Sequence, residues 1–488
     1  MSKATIKRLQ TGVPGLDEVL GGGLPEFSFN ILAGPPGSGK TTLAHELMFN
    51  LATPERPALY FTVLGEPPLK MLRYQQQYSF YELDKVGSAI RYVNLGEDLR
   101  SGNFAGVLER IMREVEDFSP SMVFVDSFRS VVQTAKDGNE GIADLQHFIQ
   151  ELGTRMTSWE ATTFLIGEYM HAEAEANPIM TVADGLVYLS QHEEENSVVR
   201  KIRVIKMRGQ AHLAGSHVFR ITHDGLRIYP RVLPFIPEET PDGGFVDRSP
   251  VRISTGTPQL DEMLNGGLPR GHAMLVVGPS GAGKTIFGTN FLAEGVRQGE
   301  KSVAIFFEKT TSRLRNAKLS EMVNAGEVCI VESRLLDLTV EELVDDLIEA
   351  VRRTNAKRVL IDSLSEFGLY LAPEFRTDIR GAVFRVLATL AKLGVSVVVT
   401  IGLEDRFTDL RFSQADISFL SDAIVAMRYV ETEGRLARLI SVVKVRGSAH
   451  STDLREFMIT ERGIEIGERP VEFEGLLSGH PSIRDRTR

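Results

Sequence analysis

Two short stretches, GPPGSGKTT at 34–42 and GPSGAGKTI at 278–286, carry the clearest chemistry in this 488-residue chain. Both fit G-x-x-x-x-G-K-[ST], the spacing of a phosphate-binding loop. Gly37 and Gly39, like Gly281 and Gly283, let the backbone turn its N–H groups inward around phosphate oxygens. Lys40 and Lys284 can reach the β- and γ-phosphates, and the hydroxyls of Thr41 and Thr285 suit Mg2+. Gly34, Ser38 and Thr42, with Gly278, Ala282 and Ile286, complete the two nucleotide-contacting segments. Asp126 and Asp362 end the apolar runs VFVD and VLID, where a carboxylate meets the phosphate-bound magnesium, usually through water. The expected cofactors are ATP and Mg2+.

Hydrolysis also requires a group that orients or deprotonates water. Glu308, in AIFFEKTT, stands at the end of the strand that follows the second phosphate-loop helix; Glu66, in YFTVLGEPP, is the nearest carboxylate in the first copy. Two further phrases, KMRGQAH at 206–212 and KVRGSAH at 444–450, each close a long apolar run. They place Lys206, Arg208, Lys444 and Arg446 at strand ends, where by themselves they read as a basic edge that discourages aggregation. His212 and His450 read as structural hydrogen-bonding groups.

These residues are positioned by a chain written twice. TGVPGLDEVLGGGLP (11–25) and TGTPQLDEMLNGGLP (255–269) agree at 11 of 15 places, and both they and the phosphate loops are offset by 244. In each half, apolar strand-like runs alternate with helix-like segments: FNILA, ALYFTV and SMVFVD in the first, AMLVVG, SVAIFFE and RVLID in the second. Continuous apolar strands imply burial on both faces, hence a mainly parallel sheet flanked by helices in each half. Each half ends in hairpin-like strands, one marked by Asp224-Gly225 and one by Gly434. The expected division is an α/β domain over 1–230, a proline-rich linker over 231–250, a second α/β domain over 251–475 and a tail over 476–488.

Composition narrows the function. A net charge of −10 and a single tryptophan, Trp159, argue against a nucleic-acid binder. One cysteine, Cys329, rules out an internal disulfide framework. No run approaches 18 apolar residues and the N-terminus lacks a signal-peptide core, so the expectation is a cytoplasmic protein without a membrane partner.

Together the doubled phosphate loop, TG-x-P-x-LDE-x-L-x-GGLP, the VDS and IDS strand ends and K-x-RG-x-x-H resemble KaiC, the clock ATPase family of the RecA superfamily. The resemblance implies two tandem RecA-like P-loop domains and a double-ring homohexamer with ATP between neighbouring subunits. It also implies that Lys206 and Arg208 serve one ring's interface and Lys444 and Arg446 the other's. A Glu-Glu pair is the family's pattern after the second strand; here Leu64 and Gly65 stand in the first domain and Glu308-Lys309 in the second. The family's adjacent Ser and Thr phosphoacceptors correspond to Ser418 and Phe419, so one-site autophosphorylation on Ser418 is expected, with Ser421 in reserve and Glu308 taking the proton. A KaiB-like protein on the first domain is the implied partner. KaiA-type control is not expected, since LLSGHPSIRDRTR stops short of the tail that KaiA grips. A nucleotide-gated scaffold without kinase activity, and a RecA- or DnaB-like DNA-dependent ATPase, are the competing readings.

Overall fold

The apolar runs fold as strands in a computed structural model. It describes residues 6–62, 68–96, 104–126, 139–168, 182–231, 251–307, 317–332, 337–402, 421–432, 434–470, 473–474 and 482–483. The chain divides into two units, Met1–Arg231 and Val232–Arg488. Residues 232–250 of the expected linker lie outside the described residues, as does most of the tail.

The sheet of the first unit is built from β1 (Phe29–Gly34), β2 (Ala58–Thr62), β3 (Ile90–Asn94), β4 (Met122–Asp126), β5 (Thr162–Glu168), β6 (Gly185–Glu194), β7 (Ser197–Met207), β8 (His217–Thr222) and β9 (Gly225–Tyr229). Their order across the sheet is β3-β2-β4-β5-β1-β6-β7-β8-β9. Pairings from β3 through β6 are parallel, and those from β6 to β9 antiparallel. Helix α1 (Lys40–Leu51) lies on one face; α2 (Phe104–Phe118) and α3 (Asn139–Ser158) lie on the other. Alternate residues of β1 feed the two apolar layers. Phe29, Ile31 and Ala33 join Val107, Ile111 and Leu152, whereas Leu32 joins Leu43, Leu47 and Met48. Both faces are covered, which explains why these strands read as unbroken apolar runs.

In the second unit the strands are β10 (Ala273–Gly278), β11 (Ser302–Phe306), β12 (Val328–Val331), β13 (Arg358–Asp362), β14 (Ser396–Gly402), β15 (Ala423–Thr432), β16 (Arg435–Val445), β17 (Arg455–Thr460) and β18 (Gly463–Pro470). Their order, β12-β11-β13-β14-β10-β15-β16-β17-β18, repeats that of the first unit. Helix α4 (Lys284–Arg297) packs Phe287, Phe291 and Leu292 on one face. Opposite it lie α5 (Val340–Thr354) and α6 (Ile379–Lys392). A capping box starts α5: Thr339 Oγ1 accepts the Glu342 N–H and the Glu342 carboxylate accepts the Thr339 N–H. Two mostly parallel sheets flanked by helices are the fold that the sequence implied.

The leading TG-x-P-x-LDE motif is a clasp. Asp17 accepts the Thr11 N–H at 2.9 Å and Asp261 accepts the Thr255 N–H at 2.8 Å. The turn predicted at Asp224-Gly225 falls one residue earlier. Thr222 pairs with Gly225, so His223 and Asp224 form the loop and Gly225, at φ 103°, opens β9.

Candidate active site

Each phosphate loop leaves the C-terminal end of the central strand and runs into a helix whose N-cap is a glycine: Gly39 at φ 96° before α1, Gly283 at φ 102° before α4. The left-handed backbone is not the only reason for glycine there. A Cβ on Gly39 would stand 2.8 Å from Ile221 Cδ1, and one on Gly283 would stand 2.9 Å from Ile459 Cδ1. The loops are therefore packed against the antiparallel extension of their own sheets. Ser38 and Ala282 at the loop tips are buried, while Thr42 and Ile286 in the first helical turn are half-buried. Lys40 Nζ donates to Pro35 O at 2.8 Å, and Lys284 Nζ donates to Gly278 O and Pro279 O, both at 2.8 Å. Desolvation lowers the Lys40 pKa, opposed by Glu168 and Asp126.

The strand-end aspartates lie beside these loops. Thr41 Oγ1 donates to Asp126 Oδ2 at 2.8 Å, and Tyr60 OH donates to the same oxygen at 2.8 Å. Burial raises the Asp126 pKa, against the pull of Thr41, Tyr60 and Lys40. Asp362 is likewise raised by burial, opposed by hydrogen bonds from Thr400 and Thr285 and by Lys284. Among the described residues no three His, Cys, Asp or Glu side chains converge on one point. A threonine hydroxyl and one carboxylate per loop are hard oxygen donors, too few for a protein cage but suited to a Mg2+ ion that phosphates also hold. Ser38 Oγ at the loop tip is buried and accepts or donates no hydrogen bond among the described residues. The donor set fits Mg·ATP.

Lys206, Arg208, Lys444 and Arg446 lie at the opposite end of the sheets. Asp184 pins the first pair: its Oδ2 accepts the Phe29 N–H at 3.1 Å, and its Oδ1 is 3.2 Å from Arg208 Nη1. Asp422 does the same in the second unit, accepting the Ala273 N–H at 3.0 Å and lying 3.8 Å from Arg446 Nη1. Lys206 Nζ donates to Ala183 O and Lys444 Nζ to Ser421 O. Desolvation, and then the neighbouring arginine, lowers both lysine pKa values. Both arginine side chains are more than half exposed, at 59% and 54%. β1 runs about 17 Å from Phe29 to Gly34, and β10 is as long, so Arg208 and Arg446, tied through aspartates to the first residues of these strands, stand a strand's length from their own phosphate loops.

The sequence as a whole points the same way. A model of the KaiC ATPase family matches residues 9–232 and 253–471. The chain belongs to the KaiC ATPase family. It is 26% identical to the circadian clock oscillator protein KaiC of Thermostichus vulcanus, over 99% of this chain and 93% of that protein. Identity to the KaiC of Rippkaea orientalis is 27%, over 98% of this chain and 92% of that protein, and to that of Prochlorococcus marinus strain MIT 9313 it is 26%, over 98% and 96%.

Of the site residues expected in a KaiC-family chain, Glu66, Glu308 and Ser418 lie outside the described residues, with Leu64, Gly65, Lys309 and Phe419. The chain leading to Glu308 is anchored at the site: the Phe307 N–H donates to Asp362 O at 2.9 Å. Ser421 is buried, 3% exposed, at the same sheet end as Lys444. His212 and His450 are half-buried. Sequence reasoning missed Glu168, which ends β5 opposite Gly34, and the aspartates Asp184 and Asp422. Those two aspartates are separated by the same 238 residues as the K-x-R motifs, a signal that was readable in ADG and SDA. Among the described residues no helix is long and apolar enough to cross a membrane.

Proposed function

We propose that this chain is an ATP-hydrolysing homohexamer in which every nucleotide sits at a seam between two copies. One copy supplies the loop, the threonine and the strand-end aspartate; its neighbour supplies Lys206 and Arg208, or Lys444 and Arg446. The observation that carries this is the placement of both K-x-R motifs at the sheet end remote from their own loops. Cations held in fixed positions there are turned away from the γ-phosphate of their own loop, so a neighbouring copy is the partner that the family's assembly offers them. Fixed positive charge offsets the charge that spreads over phosphoryl oxygens in the transition state, so turnover requires assembly. Mg2+, when bound by Thr41 and Asp126 or Thr285 and Asp362, would neutralise part of the triphosphate charge. Glu308 orients or deprotonates water in the second domain, and Glu66 in the first.

Complementation tests the seam. In a chain whose second loop carries Lys284→Ala, Lys40→Ala and Arg208→Ala are each expected to lower ATP turnover at least about tenfold. Co-expressed, the two defective chains should recover activity, because some seams pair an intact loop with an intact arginine. Mixed oligomers no more active than either parent would refute the shared site.

Autophosphorylation on Ser418, with a KaiB-like protein reading the first domain, is the finer part of the proposal. Its support is the place of Ser421, whose carbonyl accepts from Lys444 at the sheet end assigned to the seam. Peptide mass mapping after incubation with Mg·ATP should find phosphate on Ser418. Unphosphorylated hexamers would favour a nucleotide-gated scaffold.

A further inference from the structure

In the first domain one oxygen of Asp126 takes two hydroxyl donors, Thr41 and Tyr60, each at 2.8 Å. Tyr60 is wholly buried and its ring lies 4.5 Å from that of His45. His45 Nδ1–H in turn donates to the Thr41 carbonyl at 2.8 Å. Phosphate-loop threonine, strand-end aspartate, tyrosine and histidine thus form one closed circuit. The phosphate-loop motif asks for the threonine and the aspartate but not for the tyrosine or the histidine.

The second domain builds its circuit from the other side. Ala304 occupies the place of Tyr60, pairing with Leu360 as Tyr60 pairs with Phe124. The hydroxyl on Asp362 comes instead from Thr400 of β14, which pairs with Val276 as the apolar Ile166 of β5 pairs with Leu32. Each domain therefore brings one hydroxyl beyond its loop threonine to the aspartate, from opposite flanking strands. A carboxylate's terminal torsion is broad, so the loop threonine alone leaves the second oxygen free to swing. Such outer donors commonly tune metal affinity by about 10–100-fold.

We propose that Tyr60 and Thr400 are positioning residues for the two Mg·ATP sites, each fixing its aspartate so that the carboxylate would be held ready for a metal rather than left to rotate. The proposal rests on the ATPase reading and is tested by binding, not turnover. The full chain carrying Lys284→Ala is titrated with a fluorescent ATP analogue in Mg2+ and in EDTA. Tyr60→Phe keeps the ring and removes the hydroxyl. It is expected to weaken binding about fivefold in Mg2+ and less than about twofold in EDTA. Adding Ile166→Thr, which offers a hydroxyl from the strand used by the second domain, should restore Mg2+-dependent affinity. Unchanged affinity in Mg2+, an equal loss in both conditions, or a loss that Ile166→Thr does not repair each overturns the proposal. A Lys284→Ala chain that binds no analogue at all overturns the ATPase reading beneath it.

Discussion

Arg358 is a charge with no water around it. Its side chain is 0% exposed; Nε donates to Glu300 Oε2 at 2.8 Å, and Nη1 donates to Ser254 O at 2.7 Å and Phe291 O at 3.0 Å. The guanidinium also lies 4.8 Å from the Phe291 ring centroid. In the first domain Met122 begins the corresponding strand, so the fold itself does not require a cation there. The second domain has built its partners around one. Replacing only the cation strands them: Arg358→Met should destabilise the second domain by about 3 kcal/mol in urea unfolding, and adding Glu300→Gln should return part of that. A midpoint equal to the parent's would remove the argument. At this scale the sequence disclosed what spacing can disclose. Asp126 and Asp362 announced themselves by ending apolar runs after a phosphate loop. Tyr60 did not, because a tyrosine inside an apolar run looks like core until its hydroxyl partner is seen.

Among elements, the hairpin turn between β8 and β9 is docked on helix α1 through a buried carboxylate. The Leu226 N–H donates to Glu46 Oε2 at 2.7 Å, and a Cβ on Gly225 would stand 2.6 Å from that carboxylate. Desolvation pushes the Glu46 pKa from 4.5 up to about 7, opposed by the Leu226 N–H. The folded chain therefore holds a proton that the unfolded chain has already lost. The stabilisation is fully present below about pH 4.5 and is lost as pH rises through about 7. In the second domain the neutral Asn290 fills the matching position against Gly463. Glu46→Gln should accordingly leave stability at pH 5 nearly unchanged and raise it at pH 8 by on the order of 2 kcal/mol. Melting curves across that range check the sign; a variant less stable at pH 8 would contradict it. Hairpins were legible from their turn residues, but their register was not. Both β6–β7 and β15–β16 slip by one residue, after Leu186 and Ile424, beside Lys206 and Lys444. Such bulges re-aim the strand end, and no composition signal marks them.

For the molecule as a whole, the doubled text became two sheets with the same strand order. That much was readable, because long apolar runs at a constant offset leave little choice of fold. What the repeat hid is how the copies differ: tyrosine against threonine on the aspartate, arginine against methionine at a strand start, glutamate against asparagine under a hairpin. These differences lie at buried positions, where one residue is exchanged for another without disturbing the pattern. The same sheets also join two places that the proposed ring would use at different seams. Asp184 grips both Arg208 and the first residue of β1, and β1 runs straight into the phosphate loop.

A pleated strand with partners on both sides barely stretches. Tension on Arg208 from a neighbour's nucleotide would be relayed along β1 to the bearer's own loop, so news of occupancy would pass from copy to copy around the circle. ATP turnover by the Lys284→Ala chain should then rise more steeply than a hyperbola, with a Hill coefficient above 1. Cutting the relay with Asp184→Asn should bring it back to about 1. A parent that already responds hyperbolically would mean that each seam works deaf to the next.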